Sequence, residues 1–147
     1  RVRSADRGAW SVSVTGNDMA RDLKMDYSCA FYRWGESAAD KIDEYIRTRF
    51  DETDPEEWCN YVYSLADYMW KKGILTDEIR DRAIQLIDSD FGLEIWAESG
   101  EKILNQRKKA LADFRAMLLS PMGPKKKIKP DVYTDTIFNG DTAENRQ

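Results

Sequence analysis

The chain contains no histidine, and this absence excludes several kinds of catalytic site. Histidine is the commonest general base and metal ligand near neutral pH, and Ser–His and Cys–His nucleophiles depend on it. Two cysteines cannot supply the roughly four nitrogen or sulfur ligands of a structural zinc site. A glycine-rich phosphate-binding loop is also missing. We therefore expect a non-catalytic protein without a cofactor or a metal ion.

Long hydrophobic runs are missing as well. No segment approaches the ~20 apolar residues of a transmembrane helix, and no signal peptide is visible. Cys29 and Cys59 fall in separate predicted helices, which favours two small buried side chains in a reducing compartment over a disulfide. These observations favour a cytoplasmic protein with no membrane partner.

The aromatic content, in contrast, is high. The 147 residues include five tryptophans, and 12% of the chain is aromatic. Disordered segments have few aromatic residues, and a tryptophan removes a large apolar area from water when it packs between helices. The chain is therefore expected to form one globular domain with most of its tryptophans in the core.

Hydrophobic residues recur at helical spacing through most of the chain. The pattern predicts helices over residues 18–34, 37–50, 55–72, 77–89 and 100–119, with a short helical turn over 91–97. Asp54, Thr76 and Ser99 are each placed to cap a helix with a side-chain oxygen. Gly35 and Gly73 are placed to end the first and third helices.

Regular structure is predicted to be weak at both termini. Val12 and Val14 alternate with polar residues, which indicates a short extended segment. Pro121 and Pro124 end the last helix. The expected fold is mostly α: a compact bundle of about five helices over residues 1–120, followed by an irregular tail over 121–147 that is first basic and then acidic.

The net charge of −4 conceals a separation of charge along the chain. Residues 36–98 carry 17 acidic and 7 basic side chains, whereas residues 99–130 carry 2 acidic and 9 basic ones. The acidic residues are densest over 51–57. Helix capping explains Asp54 and Glu57 there, but it leaves Glu52 and Glu56 without a structural reason.

This acidic segment is the candidate binding site. Its predicted partner-binding residues are Asp51, Glu52, Glu56 and Glu57, with Trp58 and Tyr61 as apolar anchors beside them. A surface of this charge attracts a basic protein. The other interpretation is a solvated face that only keeps the protein soluble.

The basic residues form two groups, residues 107–109 and the lysine run over 125–129. Such runs occur in nucleic-acid-binding proteins, but no aromatic residues are interleaved with these and the whole chain is acidic. We therefore expect solvated basic residues, and we do not expect the lysine run to carry the main activity.

The N-terminal segment carries one recognisable pattern. Gly8-Ala9-Trp10 is followed by Asn17-Asp18 and then by Ala20 and Asp22. This spacing resembles the opening of a family of small bacterial proteins of unknown function, which begin Gly-Ala-Trp-Gly and continue Asn-Asp-x-Ala-x-Asp. Ser11 replaces the second glycine of that pattern, and residues 1–7 precede it. The resemblance covers roughly the first tenth of the chain and implies no chemistry; Trp10 is expected to pack on the bundle.

These observations favour a non-catalytic bacterial protein-binding module of the immunity or antagonist type. Its acidic face would cover the active surface of a basic partner, such as a toxin or a nuclease. One alternative is a carboxylate- or metal-dependent enzyme acting on a small or phosphorylated ligand, since Asp40, Asp43 and Glu44 share a helix face. Another alternative is a nucleic-acid-associated protein that uses the basic last helix and tail.

Overall fold

The computed structural model of the chain describes residues 14–15 and 18–128. These residues form a helical bundle, which confirms the predicted mostly α fold. Its elements are α1 (Asp18–Trp34), a 3₁₀ turn (Gly35–Ser37), α2 (Ala38–Arg47), α3 (Pro55–Lys71), α4 (Asp77–Asp88), α5 (Leu93–Ala97) and α6 (Glu101–Leu119). No strand occurs among the residues described, and no helix among them is long and apolar enough to cross a membrane.

Local capping sets several helix boundaries where the sequence placed them. The Asp54 side chain accepts hydrogen bonds from the backbone N–H groups of Glu56 and Glu57, and Pro55 occupies the first position of α3. Thr76 likewise accepts from the N–H of Ile79 at the start of α4. The prediction for Ser99 is wrong. Gly100, and not Ser99, precedes α6, and no side chain caps this helix. The φ of Gly100 is 107°, a backbone conformation that glycine adopts most readily because it has no Cβ atom.

Helix α3 lies at the centre of the bundle. Every residue from 61 to 69 is buried, so this helix contacts neighbours on all sides instead of along one stripe. Aromatic rings join it to the surrounding helices: Tyr68 contacts Tyr27 of α1 at 5.9 Å between ring centroids, and Tyr63 contacts Phe114 of α6 at 5.7 Å. Rings at these separations are in contact and bury large apolar areas.

The ends of the bundle differ from the sequence pattern. The helix predicted over 37–50 is shorter, since α2 ends at Arg47 and a loop leads to α3. Val14 and Thr15 form a turn, and Val14 is buried against the core. Trp10 and residues 129–147 lie outside the described part of the chain.

Residues 121–128 have no regular secondary structure, as predicted for the tail, yet they pack back onto the bundle. The Trp70 ring N–H donates to the Ser120 carbonyl at 3.4 Å, and the backbone N–H of Lys126 donates to the Lys72 carbonyl at 2.9 Å. Ile128 contacts the hydrophobic core. We call residues 120–128 the strap, because they cross the turn between α3 and α4.

Candidate functional site

The acidic segment occupies the loop between α2 and α3 and the first turn of α3. Asp51 and Glu52 are exposed, and Glu56 and Glu57 are half-buried. The loop places these carboxylates at the N-terminal end of α3, where the helix dipole is positive and favours negative charge. The acidic segment therefore lies at one end of the central helix.

Short local hydrogen bonds connect the residues of this loop. The Asp51 carboxylate accepts from the hydroxyl of Thr53 at 2.6 Å and from its backbone N–H at 2.8 Å. These bonds, the side-chain one first, hold the pKa of Asp51 below its ordinary value. The Glu57 carboxylate accepts from the backbone N–H of Asp51 at 3.0 Å. Asp51 and Glu57 therefore stabilise the loop through hydrogen bonds and also contribute negative charge to it.

Glu52 has a structural partner that the sequence did not reveal. Its carboxylate lies 3.1 Å from the Arg47 guanidinium, which also donates to Asp43 at 2.8 Å. The hydrogen bond to Asp43 and the contacts with Glu52 raise the pKa of Arg47. The expectation that Glu52 lacks a structural reason is therefore wrong, since Arg47 at the end of α2 is close enough to pair with it.

Trp58 and Tyr61 are core residues, and their predicted role as apolar anchors on the surface is wrong. Trp58 is 6% exposed and Tyr61 is fully buried. Their rings contact each other at 5.2 Å, and the Arg47 guanidinium covers the Trp58 ring at 5.0 Å. Both side chains face neighbouring helices, so neither is available to a partner.

Asp43 joins three helices beneath the acidic loop. Its carboxylate accepts from Arg47 of α2, from the Tyr61 hydroxyl of α3 at 2.7 Å and from Arg82 of α4 at 2.8 Å. Partial burial acts to raise the pKa of Asp43, but the hydrogen bonds from Arg47 and Tyr61 and the charge of Arg82 hold it below its ordinary value. Burial raises the pKa of Tyr61 far above its ordinary value.

This arrangement makes Asp43 a structural anchor. The sequence placed Asp43 on an exposed helix face together with Asp40 and Glu44. The i,i+4 spacing of Asp43 and Arg47 is a signal for their ion pair, whereas nothing in the sequence indicated Arg82. In the structure the Asp43 oxygen atoms already accept from two guanidinium groups and a hydroxyl group, which favours the ionised carboxylate. Within residues 14–15 and 18–128, no cluster of three or more acidic or cysteine side chains is arranged to hold a metal ion.

A second acidic segment lies beside the first one, and the order of residues along the chain did not indicate this. Gly92 packs so closely on Pro55 that a Cβ atom at Gly92 would lie 2.9 Å from the Pro55 Cβ. The residues on either side of Gly92 include the exposed carboxylates of Asp90 and Glu94. We call Asp51, Glu52, Glu56, Asp90 and Glu94 together the acidic end.

The thiol of Cys59 lies under this contact. It donates to the Phe91 carbonyl at 3.8 Å, and burial is the main cause that raises its pKa to about 11. A thiol with that pKa remains protonated near neutral pH and is a poor nucleophile. Cys29 is also buried, and both cysteines are free thiols.

The basic residues of α6 do not form one surface. Arg107 is 7% exposed, and its guanidinium lies over the Trp96 ring at 4.7 Å. Lys109 pairs with Asp113 at 3.2 Å, and Arg115 pairs with Asp88 of α4 at 2.8 Å. Most of the positive charge predicted along this helix is therefore buried or paired with the chain's own carboxylates.

The geometry of the acidic end is the basis for a functional assignment. Its carboxylates come from two chain segments, and its loop is held by internal hydrogen bonds. Such a surface can attract and orient a basic partner, because the positions of its charges are set before binding. Comparison of the chain with protein-family models, with curated proteins and with solved structures finds no match.

Proposed function

We propose that this protein is a non-catalytic binding module of the immunity or antagonist type, whose acidic end covers a basic surface on a protein partner. The observation that supports this most strongly is the contact of Gly92 with Pro55. It brings Asp90 and Glu94 beside the 51–57 loop and enlarges the acidic surface that the sequence indicated.

Charge would determine the rate of binding more than its final affinity. Several like charges at one end of a small protein steer a basic partner toward that end and raise the association rate. Screening shortens this attraction to about 8 Å at physiological ionic strength. Trp58 and Tyr61 do not contribute apolar contacts to this surface, since both are buried.

The test compares two variants that remove the same number of charges. Glu56→Gln with Glu94→Gln neutralises two carboxylates of the acidic end, one from each segment. Asp22→Asn with Glu36→Gln neutralises two exposed carboxylates outside it. The immobilised protein and both variants would capture partners from native cells, and mass spectrometry would identify them.

We expect a basic protein that the unchanged protein and the control variant capture and that the acidic-end variant captures more slowly. Its association rate should fall as salt rises. A partner that binds all three proteins at one rate, irrespective of salt, would contradict the proposal. Capture of no basic protein would contradict it as well.

A further inference from the structure

The opposite end of α3 gathers lysines from two distant parts of the chain. Lys71 and Lys72 end the helix, and the hydrogen bond from the Lys126 N–H to the Lys72 carbonyl brings the strap against them. Lys125, Lys126 and Lys127 are exposed. We call these five lysines the basic end. Because α3 has 17 residues, the two charged ends lie ~26 Å apart, well beyond the screening length.

Few of these charges are neutralised within the protein. Lys71 pairs at 3.3 Å with Asp67, which also binds Lys24. Lys72 lies over the Tyr68 ring at 5.7 Å. Lys125, Lys126 and Lys127 form no ion pair with any residue that the structure describes. Gathering like charges raises their mutual repulsion, and an anionic partner would remove that cost.

Exposed apolar side chains accompany the lysines. Of the three large hydrophobic residues that stand exposed in the described part of the chain, Leu119 and Met122 belong to this end. Leu119 is 55% exposed and Met122 is 39% exposed. The backbone N–H of Leu75 donates to the Met122 sulfur at 3.3 Å, and this bond places Met122 over the turn that the strap crosses.

We infer, against the expectation of no membrane partner drawn from the sequence, that the basic end binds the surface of an anionic lipid bilayer. Lysine clusters are attracted to negatively charged headgroups, and exposed Leu and Met side chains can enter the boundary between headgroups and acyl chains. The composition favours a bilayer over a nucleic acid. None of the five cations is an arginine, the side chain that makes bidentate contacts with nucleic acids, and the Trp70 ring is partly packed against the core and so less available to stack on bases. The inference is independent of the acidic end, because it uses different residues at the other end of α3.

The test measures co-sedimentation of the 147-residue protein with phosphatidylcholine vesicles, with and without phosphatidylserine. Lys125→Gln, Lys126→Gln and Lys127→Gln together form the test variant, which keeps the backbone N–H that binds Lys72. Lys102→Gln, Lys108→Gln and Lys109→Gln form the control, which removes the same charge from exposed positions of α6. Circular dichroism checks that each variant is folded.

We expect binding only to vesicles that contain phosphatidylserine, and weaker binding as salt rises. The test variant should bind about a hundredfold more weakly than the unchanged protein, because each lysine charge contributes about fivefold to the affinity. The control variant should differ from the unchanged protein by less than about twofold. Should the triple variant fail to fold, Lys125→Gln alone should weaken binding about fivefold.

The apolar part of the surface has its own test. Leu119→Ser should weaken binding to phosphatidylserine vesicles about tenfold without changing the salt dependence of binding. Leu119→Met, which keeps an apolar side chain at this position, should bind as the unchanged protein does. Equal binding to both kinds of vesicle would overturn the inference. So would equal losses in the lysine variant and its control. Binding of a single-stranded oligonucleotide through the same lysines, without binding to vesicles, would assign the basic end to nucleic acid and would also overturn it.

Discussion

The acidic end and the basic end of the molecule gather charge in different ways. At the acidic end, the 51–57 loop is shaped by hydrogen bonds between residues close in sequence, such as those of Asp51 with Thr53 and Glu57. At the basic end, the strap reaches residues far away along the chain, as in the bond between Trp70 and Ser120, 50 positions apart. The hydrogen bonds of the 51–57 loop join residues close in sequence, whereas the strap, like the contact that adds Asp90 and Glu94 to the acidic end, depends on tertiary packing.

We expect the largest change in stability from the substitution of Asp43, whose hydrogen bonds join the helices beneath the acidic end. Asp43→Ala would leave the Tyr61 hydroxyl without its acceptor, and it would leave Arg82 with the more distant Glu78 carboxylate, 3.7 Å away, in a partly buried site. We expect a loss of about 2–4 kcal/mol in the free energy of unfolding, measured by urea denaturation. Asp40→Ala, on the exposed face of the same helix, should cost less than about 0.5 kcal/mol. Equal losses in the two variants would show that the Asp43 network does not support this end.

Two glycine substitutions, one beside the strap and one distant from it, test the contact between the strap and the α3–α4 turn. Gly73 has a φ of 73°, and a Cβ atom there would lie 2.5 Å from the Pro124 carbonyl oxygen. Gly35 has a φ of 60°, but a Cβ atom there would meet nothing within 4 Å. Gly35→Ala should therefore cost only about 1–2 kcal/mol of backbone strain, and Gly73→Ala should cost more because the strap must move.

Tryptic cleavage provides the readout for strap release. In Gly73→Ala, cleavage after residues 125–127 should become faster than in the unchanged protein, since the strap is released before the bundle unfolds. In Gly35→Ala, the cleavage rate there should remain unchanged. Identical cleavage rates in the two variants would contradict the contact between the strap and the α3–α4 turn.

The hydrogen bonds of Asp43 also predict that stability depends on pH, with a smaller effect than that of Asp43→Ala. The folded pKa of Asp43 lies below its ordinary value, so the ionised carboxylate stabilises the protein above the unfolded pKa of about 3.9. That contribution is lost as the pH falls from about 3.9 through the folded pKa. Asp43→Asn should therefore be less stable than the unchanged protein at pH 7, and the difference should shrink at acidic pH. Urea midpoints measured across this range check the prediction, which a constant difference would contradict.

The smallest effect is expected within the acidic loop itself. Thr53→Ala removes the hydroxyl that donates to Asp51 at 2.6 Å in an exposed position. The free energy of unfolding should change by less than about 0.5 kcal/mol, because water replaces the lost bond. A larger loss in thermal denaturation would mean that this loop stabilises the bundle, and it would weaken the case for its role in binding.

The predicted helices were correct where a local signal marks a boundary. Asp54 followed by Pro55 predicted the start of α3, and Thr76 predicted the start of α4. Such signals act through hydrogen bonds to nearby backbone N–H groups, so they can be recognised without knowledge of the fold. The start of α6 was predicted one residue early. Serine and glycine are both common N-cap residues, and in the structure the N-cap is Gly100.

The candidate site was predicted less well. Trp58 and Tyr61 were predicted as surface anchors because they follow the acidic residues. They also share the helical spacing of Val62 and Leu65, and the burial of all four shows that this periodic pattern is the better guide to their position. The i,i+4 spacing of Asp43 and Arg47 indicates their ion pair. The pairing of Glu52 with Arg47 and that of Asp43 with Arg82 could not be read from spacing, since Glu52 lies in the loop after α2 and Arg82 belongs to another helix. Side-chain pairing across elements depends on packing angles that the sequence does not display.

By itself, the sequence determined the helical content, most helix boundaries and the acidic charge of the 51–57 segment. These depend on residue type, on the 3.6-residue period and on caps that act within one turn. Only the tertiary structure decided that Asp90 and Glu94 join the acidic end and that Lys125, Lys126 and Lys127 lie beside Lys72. Both arrangements require distant segments to pack against α3. That packing is decided by the burial of apolar side chains throughout the bundle, not by the charged residues it brings together.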